Sequence, residues 1–583
     1  MPELDNTAIA RELEMMGDLL EIAGADRFRV LGYRKAANAV RSWSEQLSVM
    51  AEEDRLTEIP GVGKKLAASI TGLLHHGTFP EFEAARAEYP AGLVELTQVS
   101  GVGPKRARQF YEKLGVDSVD ALLHVLDSGE IARVGGMGEK TIANIRRGVD
   151  SYLGSRGRML LMDALPLAER FAGELLERPF VESALPAGSL RRMQETIGDI
   201  DIIAVSEDPA ATMEATRSLP TVARVLGSGE TKTSVLTSSG LQVDVRVVAP
   251  DQAGAALQYF TGSKEHNIHL REIAKRAGMK VNEYGVFRVD ADGAKAERVA
   301  GATEEEIYEA LGFAQTPPPE IRHDTGEIEA ALAGELPRLL ELSDIRGDFH
   351  AHTTSTDAHS SLEENRAMAG ELGYEYLVVT DHAENLRMVR GMTVPELEAQ
   401  WAEVDELNES RGDLPFILKG VELNIGADGT VDYEPGVLAR FDFCIASLHS
   451  GWGEEGSVVT ERMLRAMENP YVDIIGHPTG RVIGRRDPIA LDMEAVLAHA
   501  AQTGTIMELN AYPDRFDLKD THLRLAMRHG VRIAIGTDAH RAAHMRYMRY
   551  GVAMARRGWV TPDRCLNAQP LETVRSWLKR NAS

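Results

Sequence analysis

The chain has 583 residues, 43% of them hydrophobic and 26% charged, with a formal net charge of −25. That length exceeds one core and predicts three or four domains, while the composition is that of an ordinary globular protein with no apolar run of membrane-spanning length. Two cysteines, Cys444 and Cys565, exclude a disulfide framework and make the cytoplasm the expected compartment. The acidity weighs against a broadly basic nucleic-acid surface, but −14 of it falls in residues 316–583, leaving −5 in 1–150 and −6 in 151–315. A DNA contact built from backbone amides and a few lysines therefore stays open.

The opening stretch MPELDNTAIARELEMMGDLL reads as an amphipathic helix, not a signal peptide. Residues 1–150 continue as short helices separated by glycine-rich turns. Self-comparison finds one pattern three times: EIPGVGKKLAASI from Glu58, QVSGVGPKRARQF from Gln98 and RVGGMGEKTIANI from Arg133. Each copy sets two glycines in a tight turn ahead of a helix N-terminus, so amides and helix dipole converge on one anion. Gly61, Gly63, Lys64 and Lys65 in the first copy, and Gly101, Gly103, Lys105 and Arg106 in the second, are the expected DNA-backbone contacts. The third copy has Glu139 where a basic residue would help. A single copy would be as well explained as a C-cap glycine between packed helices; three copies are not. The pattern resembles the helix-hairpin-helix motif, which grips the DNA backbone without reading sequence.

Next comes a mixed helix–strand region. In ETIGDIDIIAV, Asp199 and Asp201 lie two apart in a strand, so both carboxylates face one side among Ile200, Ile202 and Ile203. Like charges placed there need a cation. Gly188 and Ser189 precede them by about ten residues, and Asp244 lies on a further strand in LQVDVRVV. Gly-Ser, Asp-x-Asp and a third strand Asp resemble the nucleotidyltransferase palm, which implies three converging carboxylates holding two Mg²⁺ (or Mn²⁺) ions, one for a 3′-hydroxyl and one for a triphosphate. Gly188 would admit the substrate backbone closely, and Ser189 and Arg192 would reach triphosphate oxygens.

The downstream stretch YFTGSKEHNIHLREIAKRAGMKVNEYGVF, Tyr259–Phe287, decides against an ordinary solvated edge strand. With the hairpins it resembles DNA polymerase family X over most of residues 1–312. The resemblance implies that Tyr259 and Phe260 line the sugar pocket and exclude a 2′-hydroxyl. It implies that Gly262 belongs to the nucleotide site and that Asn267 and Arg271 monitor the nascent pair. One departure concerns the lysine that forms a Schiff base with 5′-deoxyribose phosphate in eukaryotic members: Ser69 stands there, which puts lyase activity in doubt.

After the proline cluster QTPPPEIRHDTGE, expected to be a linker, the pattern changes to strand–loop–helix units. GDFHAHTTSTDAHSS supplies His350, His352 and Asp357; later strand ends supply His382, Glu422, His449, His477, Asp538 and His540. Any one histidine is more often structural than a ligand, but nine N/O donors at repeated strand ends are not explained that way. Imidazole-rich ligation suits Zn²⁺ or Mn²⁺ better than Mg²⁺. Residues 340–570 resemble the polymerase and histidinol phosphatase (PHP) domain, a distorted (β/α)7 barrel. By that resemblance up to three ions are held: one by His350, His352, Glu422 and Asp538, a second by Asp357, His382 and His477, a third by Glu422, His449 and His540.

The expected architecture is thus multidomain: an α-helical hairpin region, an α+β nucleotidyltransferase palm with a thumb-like subdomain, and a PHP barrel. The expected boundaries are 1–90 and 91–155 for two hairpin-bearing helical subdomains, and 156–250 for the palm. They continue with 251–315 for a nascent-base-pair subdomain, 316–342 for the linker and 343–583 for the barrel. The expected enzyme is a DNA-directed DNA polymerase that fills short gaps in repair, with metal-dependent 3′→5′ exonuclease action and, as further options, abasic-site or 3′-phosphate cleavage. A polymerase with a purely structural barrel is the alternative. Expected partners are gapped or primed DNA and dNTPs, with no membrane and a monomeric state.

Overall fold

The computed structural model describes residues 6–41, 43, 46–99, 101–155, 157–290, 295–386, 389–410 and 412–579. The chain divides into two units: residues 1–156 with Ile483–Asp487, and the remainder.

The regular elements of the first unit's described residues are all helices, and all fall within residues 6–155. Its opening helix, Asn6–Ile22, buries Ile9, Leu13, Met16 and Leu20, spaced three or four apart, as the amphipathic pattern predicts. That stripe joins Phe82, Leu93, Phe110 and Ile145 in a single apolar cluster. At about 1.5–3 kcal/mol for each large side chain removed from water, this cluster outweighs the weak propensity of such short helices. The three hairpins are alike. Gly61, Gly101 and Gly136 turn the chain in the left-handed region, with φ of 83°, 85° and 85°. Helices then begin at Lys64, Pro104 and Glu139.

The second unit begins with the palm. Its five-stranded sheet runs in the order Ser183–Pro186, Asp199–Val205, Gln242–Val248, Lys232–Thr237, Val222–Ser228. Asp199–Val205 and Gln242–Val248 are parallel; the other pairs are antiparallel. The helices Leu161–Leu176 and Pro209–Arg217 pack on this sheet. A smaller subdomain follows, with helices Ala253–Thr261, Lys264–Arg276 and Glu304–Ala310 around a three-stranded antiparallel sheet.

The proline segment is built into the fold instead of spanning a gap. Arg322 is 1% exposed, donates to the Pro317 carbonyl at 2.9 Å and pairs with Glu304 at 2.6 Å. Glu327 lies fully buried against His266 at 2.7 Å, and Ile321 and Leu339 pack with Trp559 of the barrel. Prolines punctuate the sequence here, but Ile321, Ile328 and Leu339 give the segment enough apolar surface to dock.

The barrel has seven parallel strands in sequence order: Gly347–Asp348, Tyr376–Val379, Phe416–Asn424, Phe443–Ser447, Ile474–Gly476, Ile506–Asn510 and Ile533–Gly536. Tyr376–Val379, Phe443–Ser447 and Ile506–Asn510 are buried along their whole length, which is why they read as continuous apolar runs. The seam between first and last strands is closed by an Ala351–Ala539 bridge. Asn567 reinforces it, donating to the carbonyls of Gly347 and Ile535 at 2.8 Å each. Strand starts such as Tyr376, Phe443 and Ile506 pack with Val574 and Leu578. The opposite, C-terminal ends of the strands are left to polar groups.

Candidate functional sites

The palm register sets Asp201 directly beside Asp244, and Asp199 beside Gln242. Asp199 is exposed at the strand start; Asp244 is 6% exposed. Burial raises Asp201 to about 6, and the charges of Asp199 and Asp244 push the same way. Burial also raises Asp244, but hydrogen bonds from Lys232, Ser234 and Gln242 outweigh it and hold the group below the usual carboxylate range. Lys232 Nζ lies 2.6 Å from Asp244 Oδ2. One lysine against three carboxylates leaves net negative charge, a donor set fitted to divalent cations. Gly188 has φ 62°, and a Cβ there would meet Asp201 Oδ2 at 2.5 Å, so the turn passes the carboxylate only as glycine.

Ser189 lies in the short helix Gly188–Arg191. Arg192 donates to the Thr261 carbonyl, and burial, then the nearby Arg557, lowers it to about 10. Its guanidinium thus holds the palm to the helix end at Gly262, which has φ 69°. The Tyr259 and Phe260 rings meet edge-on with centroids 5.1 Å apart, and Arg246 stacks on Phe260 at 4.2 Å. Asn267 donates to the Tyr259 carbonyl at 2.8 Å and accepts from buried Gln258 at 2.8 Å. Arg271 is exposed one turn further along the same helix. Sequence reasoning passed over Gln258 and over His266, whose ring nitrogens lie 2.7 Å from Glu327 and 2.8 Å from the Tyr308 hydroxyl. An isolated polar residue in an apolar helix was the available signal for Gln258; the partners of His266 lie too far along the chain to read.

In the hairpins, Gly63 and Gly103 have φ of −82° and −80°, open to any residue. A Cβ at either, or at Gly138, would meet nothing within 4 Å. Neither internal packing nor backbone strain calls for glycine there. Lys64 and Lys105 are exposed beside Gly63 and Gly103. The other two expected contacts are engaged within the chain: Lys65 with Glu81 at 2.7 Å, and Arg106 with the Gly101 carbonyl at 2.6 Å. Ser69 is buried and donates to the Lys65 carbonyl at 3.2 Å.

At the barrel mouth all nine expected donors converge. His350 Nε2 and His352 Nε2 lie 3.1 Å apart, with Asp538 Oδ1 3.3 Å from the latter. Glu422 is the hub: Oε2 lies 2.9 Å from His382, 3.6 Å from His350 and 3.7 Å from His352, while Oε1 lies 3.2 Å from His449 and 2.9 Å from His477. Two members group otherwise than the resemblance implied. His540 joins His352, Asp357 and His382, with its Nε2 3.3 Å from Asp357, and His477 sits with Glu422 and His449. The exchange follows from barrel order: the strand before Asp538–His540 neighbours the seam that carries His352 and Asp357, while His477 leaves the strand next to that of His449.

Burial raises Glu422, but the charges of His449, His382 and His350 win and hold it well below its ordinary value. Burial, then His382 and His540, lowers His352 to about 4. Buried His352 Nδ1 and His477 Nδ1 have no hydrogen-bond partner. Imidazole and carboxylate donors crowded together, with ring nitrogens facing one another, fit metal ions better than a protein-only network. A second layer orients them. Glu508 accepts from His350 Nδ1 at 2.6 Å, and Asn424 Oδ1 lies 2.7 Å from His449 Nδ1. His477 and Asp538 adopt φ of 22° and 52°, rare for residues with side chains and frequent at active sites. Glu508 escaped sequence reasoning, although a carboxylate inside the apolar strand IMELN carried the same signal as Asp199 and Asp201.

Fold and sites define a nucleotidyltransferase joined to a metal-site (β/α)7 barrel, in a chain that also carries helix-hairpin-helix repeats. The chain matches the helix-hairpin-helix domain family over residues 4–79, the SAM-like helix-hairpin-helix tandem over 93–149 and the DNA polymerase beta thumb over 256–323. It is 36% identical over 575 residues to the DNA polymerase/3′-5′ exonuclease PolX of Bacillus subtilis, covering 98% of this chain and 99% of that one. A probable phosphatase of Thermoanaerobacter sp. is 30% identical over 245 residues, 40% of this chain and 94% of the phosphatase. DNA polymerase lambda of Rattus norvegicus is 23% identical over 345 residues, 54% of this chain and 56% of that protein. The chain belongs to the PolX family of DNA polymerases. No helix among the described residues is long and apolar enough to cross a membrane.

Proposed function

We propose that the chain is a DNA-directed DNA polymerase that fills short gaps in repair and degrades 3′ ends with its PHP barrel. The observation that carries this reading is the coexistence of two separate carboxylate-rich centres in a chain that also carries helix-hairpin-helix repeats. One is built around Asp201 and Asp244, the other around Glu422.

In the palm, Asp199, Asp201 and Asp244 would hold Mg²⁺ or Mn²⁺, which supplies Lewis acidity toward a 3′-hydroxyl and a triphosphate. Gly188 leaves the approach open, Ser189 and Arg192 face the phosphates, and Tyr259, Phe260 and Gly262 form the sugar side. Asn267 and Arg271 border the nascent pair. Lys232 neutralises Asp244 and so leaves the uncompensated charge on Asp199 and Asp201. In the barrel His350, His352, Asp357, His382, Glu422, His449, His477, Asp538 and His540 would hold up to three Zn²⁺ or Mn²⁺ ions. Such ions supply a hydroxide near neutral pH and a clamp for a phosphodiester. Glu508 and Asn424 fix the ring orientations. The hairpin amides at Gly61–Gly63 and Gly101–Gly103, with Lys64 and Lys105, would take backbone phosphates. The subdomain boundaries are those expected from the sequence, except that residues 316–342 pack against the thumb-like subdomain and the barrel instead of linking them.

A purely structural barrel is the rival reading. The full donor set around Glu422 weighs against it. A labelled duplex with a one-nucleotide gap, incubated with and without dNTPs in Mg²⁺ and in Mn²⁺, tests both halves. Extension with dNTPs and shortening without them are expected; failure to extend would overturn the polymerase half, and failure to shorten the nuclease half.

A further inference from the structure

The palm residues Arg192–Glu195 join the Gly188–Arg191 turn to the strand Thr196–Ile197, which runs on into Asp199 and Asp201. The stretch is a tight turn: Met193 has φ 51°, its amide donates to Leu190 at 2.9 Å, and the Gln194 amide donates to Ser189 at 3.1 Å. Both its ends are held by the barrel. At the first, Arg557 Nη1 donates to the Arg192 carbonyl at 2.6 Å. At the last, Arg481 forks onto both oxygens of Glu195, one bond being 3.2 Å.

These are not surface contacts. Arg557 and Arg481 are 6% and 9% exposed. Each has a second anchor in its own domain: Arg557 on Asp520, Arg481 on the Phe516 carbonyl. By contrast the Arg549–Glu169 pair, which also joins barrel to palm, has side chains 39% and 49% exposed. Simple adhesion is served by such exposed pairs. Burying two arginine charges costs several kcal/mol each unless the geometry is well satisfied. Here both land on the stretch that sets the spacing between the phosphate-facing turn and the aspartates.

We infer that Arg481 and Arg557 of the barrel are positioning residues for the polymerase site, fixing Arg192–Glu195 so that Gly188–Ser189 and Asp199–Asp201 hold their spacing. The inference rests on the polymerase reading of the palm. It also assigns the barrel a role in nucleotide addition separate from its own chemistry.

The test uses the full chain with two variants. Arg557→Lys keeps a charge for Asp520 but shortens the reach to the Arg192 carbonyl; Glu195→Gln removes the ion pair with little change of shape. Both should lower kcat for one-nucleotide insertion about tenfold or more, since small misplacements at a reacting centre are costly. The gapped-DNA dissociation constant should stay at the parent value. Amide hydrogen exchange across residues 188–201 should quicken, while the barrel strands keep their protection and the melting temperature stays within a few degrees. Insertion at the parent rate together with unchanged exchange over 188–201 would overturn the inference. If the parent protein itself adds no nucleotide, the proposed function fails, and the exchange measurement still decides whether the barrel holds this stretch.

Discussion

Asp201 and Asp244 are partners across two parallel strands, yet Lys232 touches only Asp244, at 2.6 Å. The two carboxylates therefore differ in kind. Asp244 is neutralised by the protein, whereas Asp201 is raised to about 6 by burial and by its acidic neighbours. With Asp244 paired, the uncompensated charge sits on Asp199 and Asp201.

Asp201→Asn follows from that asymmetry. It should abolish nucleotide addition by several orders of magnitude, because a metal-binding oxygen is lost. In metal-free buffer at pH 7 it should also stabilise the protein by about 1–3 kcal/mol, since a repelled, desolvated charge is removed. Asp244→Ala should lose as much activity but gain no stability, because Lys232 is left without its partner. Urea titration of the two variants beside the parent checks this; a destabilised Asp201→Asn protein would reject the charge assignment.

The hairpins give a prediction about empty space. Gly103→Ala places a methyl where the chain has no atom within 4 Å and keeps an ordinary φ, so the melting temperature should not fall. If a phosphate approaches there, DNA affinity should drop irrespective of sequence. Lys105→Ala should lower the slope of log affinity against log salt by about 0.9, one contact's worth. Unchanged affinity in the first variant and an unchanged slope in the second would mean this face does not meet DNA.

Glu304 offers a pH-dependent test of how the thumb-like subdomain is fastened. Burial raises its pKa, but Arg322 and Arg191 hold it down at about 2 against an ordinary 4.5. A carboxylate depressed in the folded state contributes stability above its unfolded pKa and loses it as pH falls toward the folded value. The contribution, about 3 kcal/mol, should be whole at pH 6 and vanish between pH 4.5 and 2. Glu304→Gln should be less stable than the parent at pH 6, and the gap should close toward pH 2. A gap independent of pH would show that the ion pairs are not what Glu304 contributes.

Much of this was legible in the sequence because the signals were local. Period-two aspartates, a repeated glycine pattern and ligands placed just after apolar strands each announce themselves within a dozen residues. What stayed hidden depends on long-range pairing. The docking of Arg322 and Glu327 was masked by prolines that look like a linker. The exchange of His477 and His540 between donor groups is fixed by which barrel strands are neighbours, not by spacing along the chain. Glu508 was visible as a charge in a buried strand, but its task as the partner of His350 required the fold.

Glu422 is the residue on which the barrel's chemistry turns. Its two oxygens lie between 2.9 and 3.7 Å from His350, His352, His382, His449 and His477, five of the six histidines of the cluster. Glu422→Gln keeps the shape and removes the charge. It should deplete the bound metal and collapse 3′→5′ degradation, while gap filling in Mg²⁺ survives, because the palm has its own carboxylates. His449→Ala removes a donor at one edge of the cluster and should cost less metal. Glu508→Gln leaves every ligand in place and disturbs the orientation of His350 and the turn at His477, whose amide Glu508 also accepts, so metal affinity should fall about 10–100-fold without loss of all sites. Metal binding also contributes folding energy, and an unfolded barrel would imitate lost catalysis. Each variant therefore needs a melting curve and a metal assay beside its activity. A folded, metal-depleted Glu422→Gln protein that still shortens 3′ ends at the parent rate would place the nuclease elsewhere in the chain.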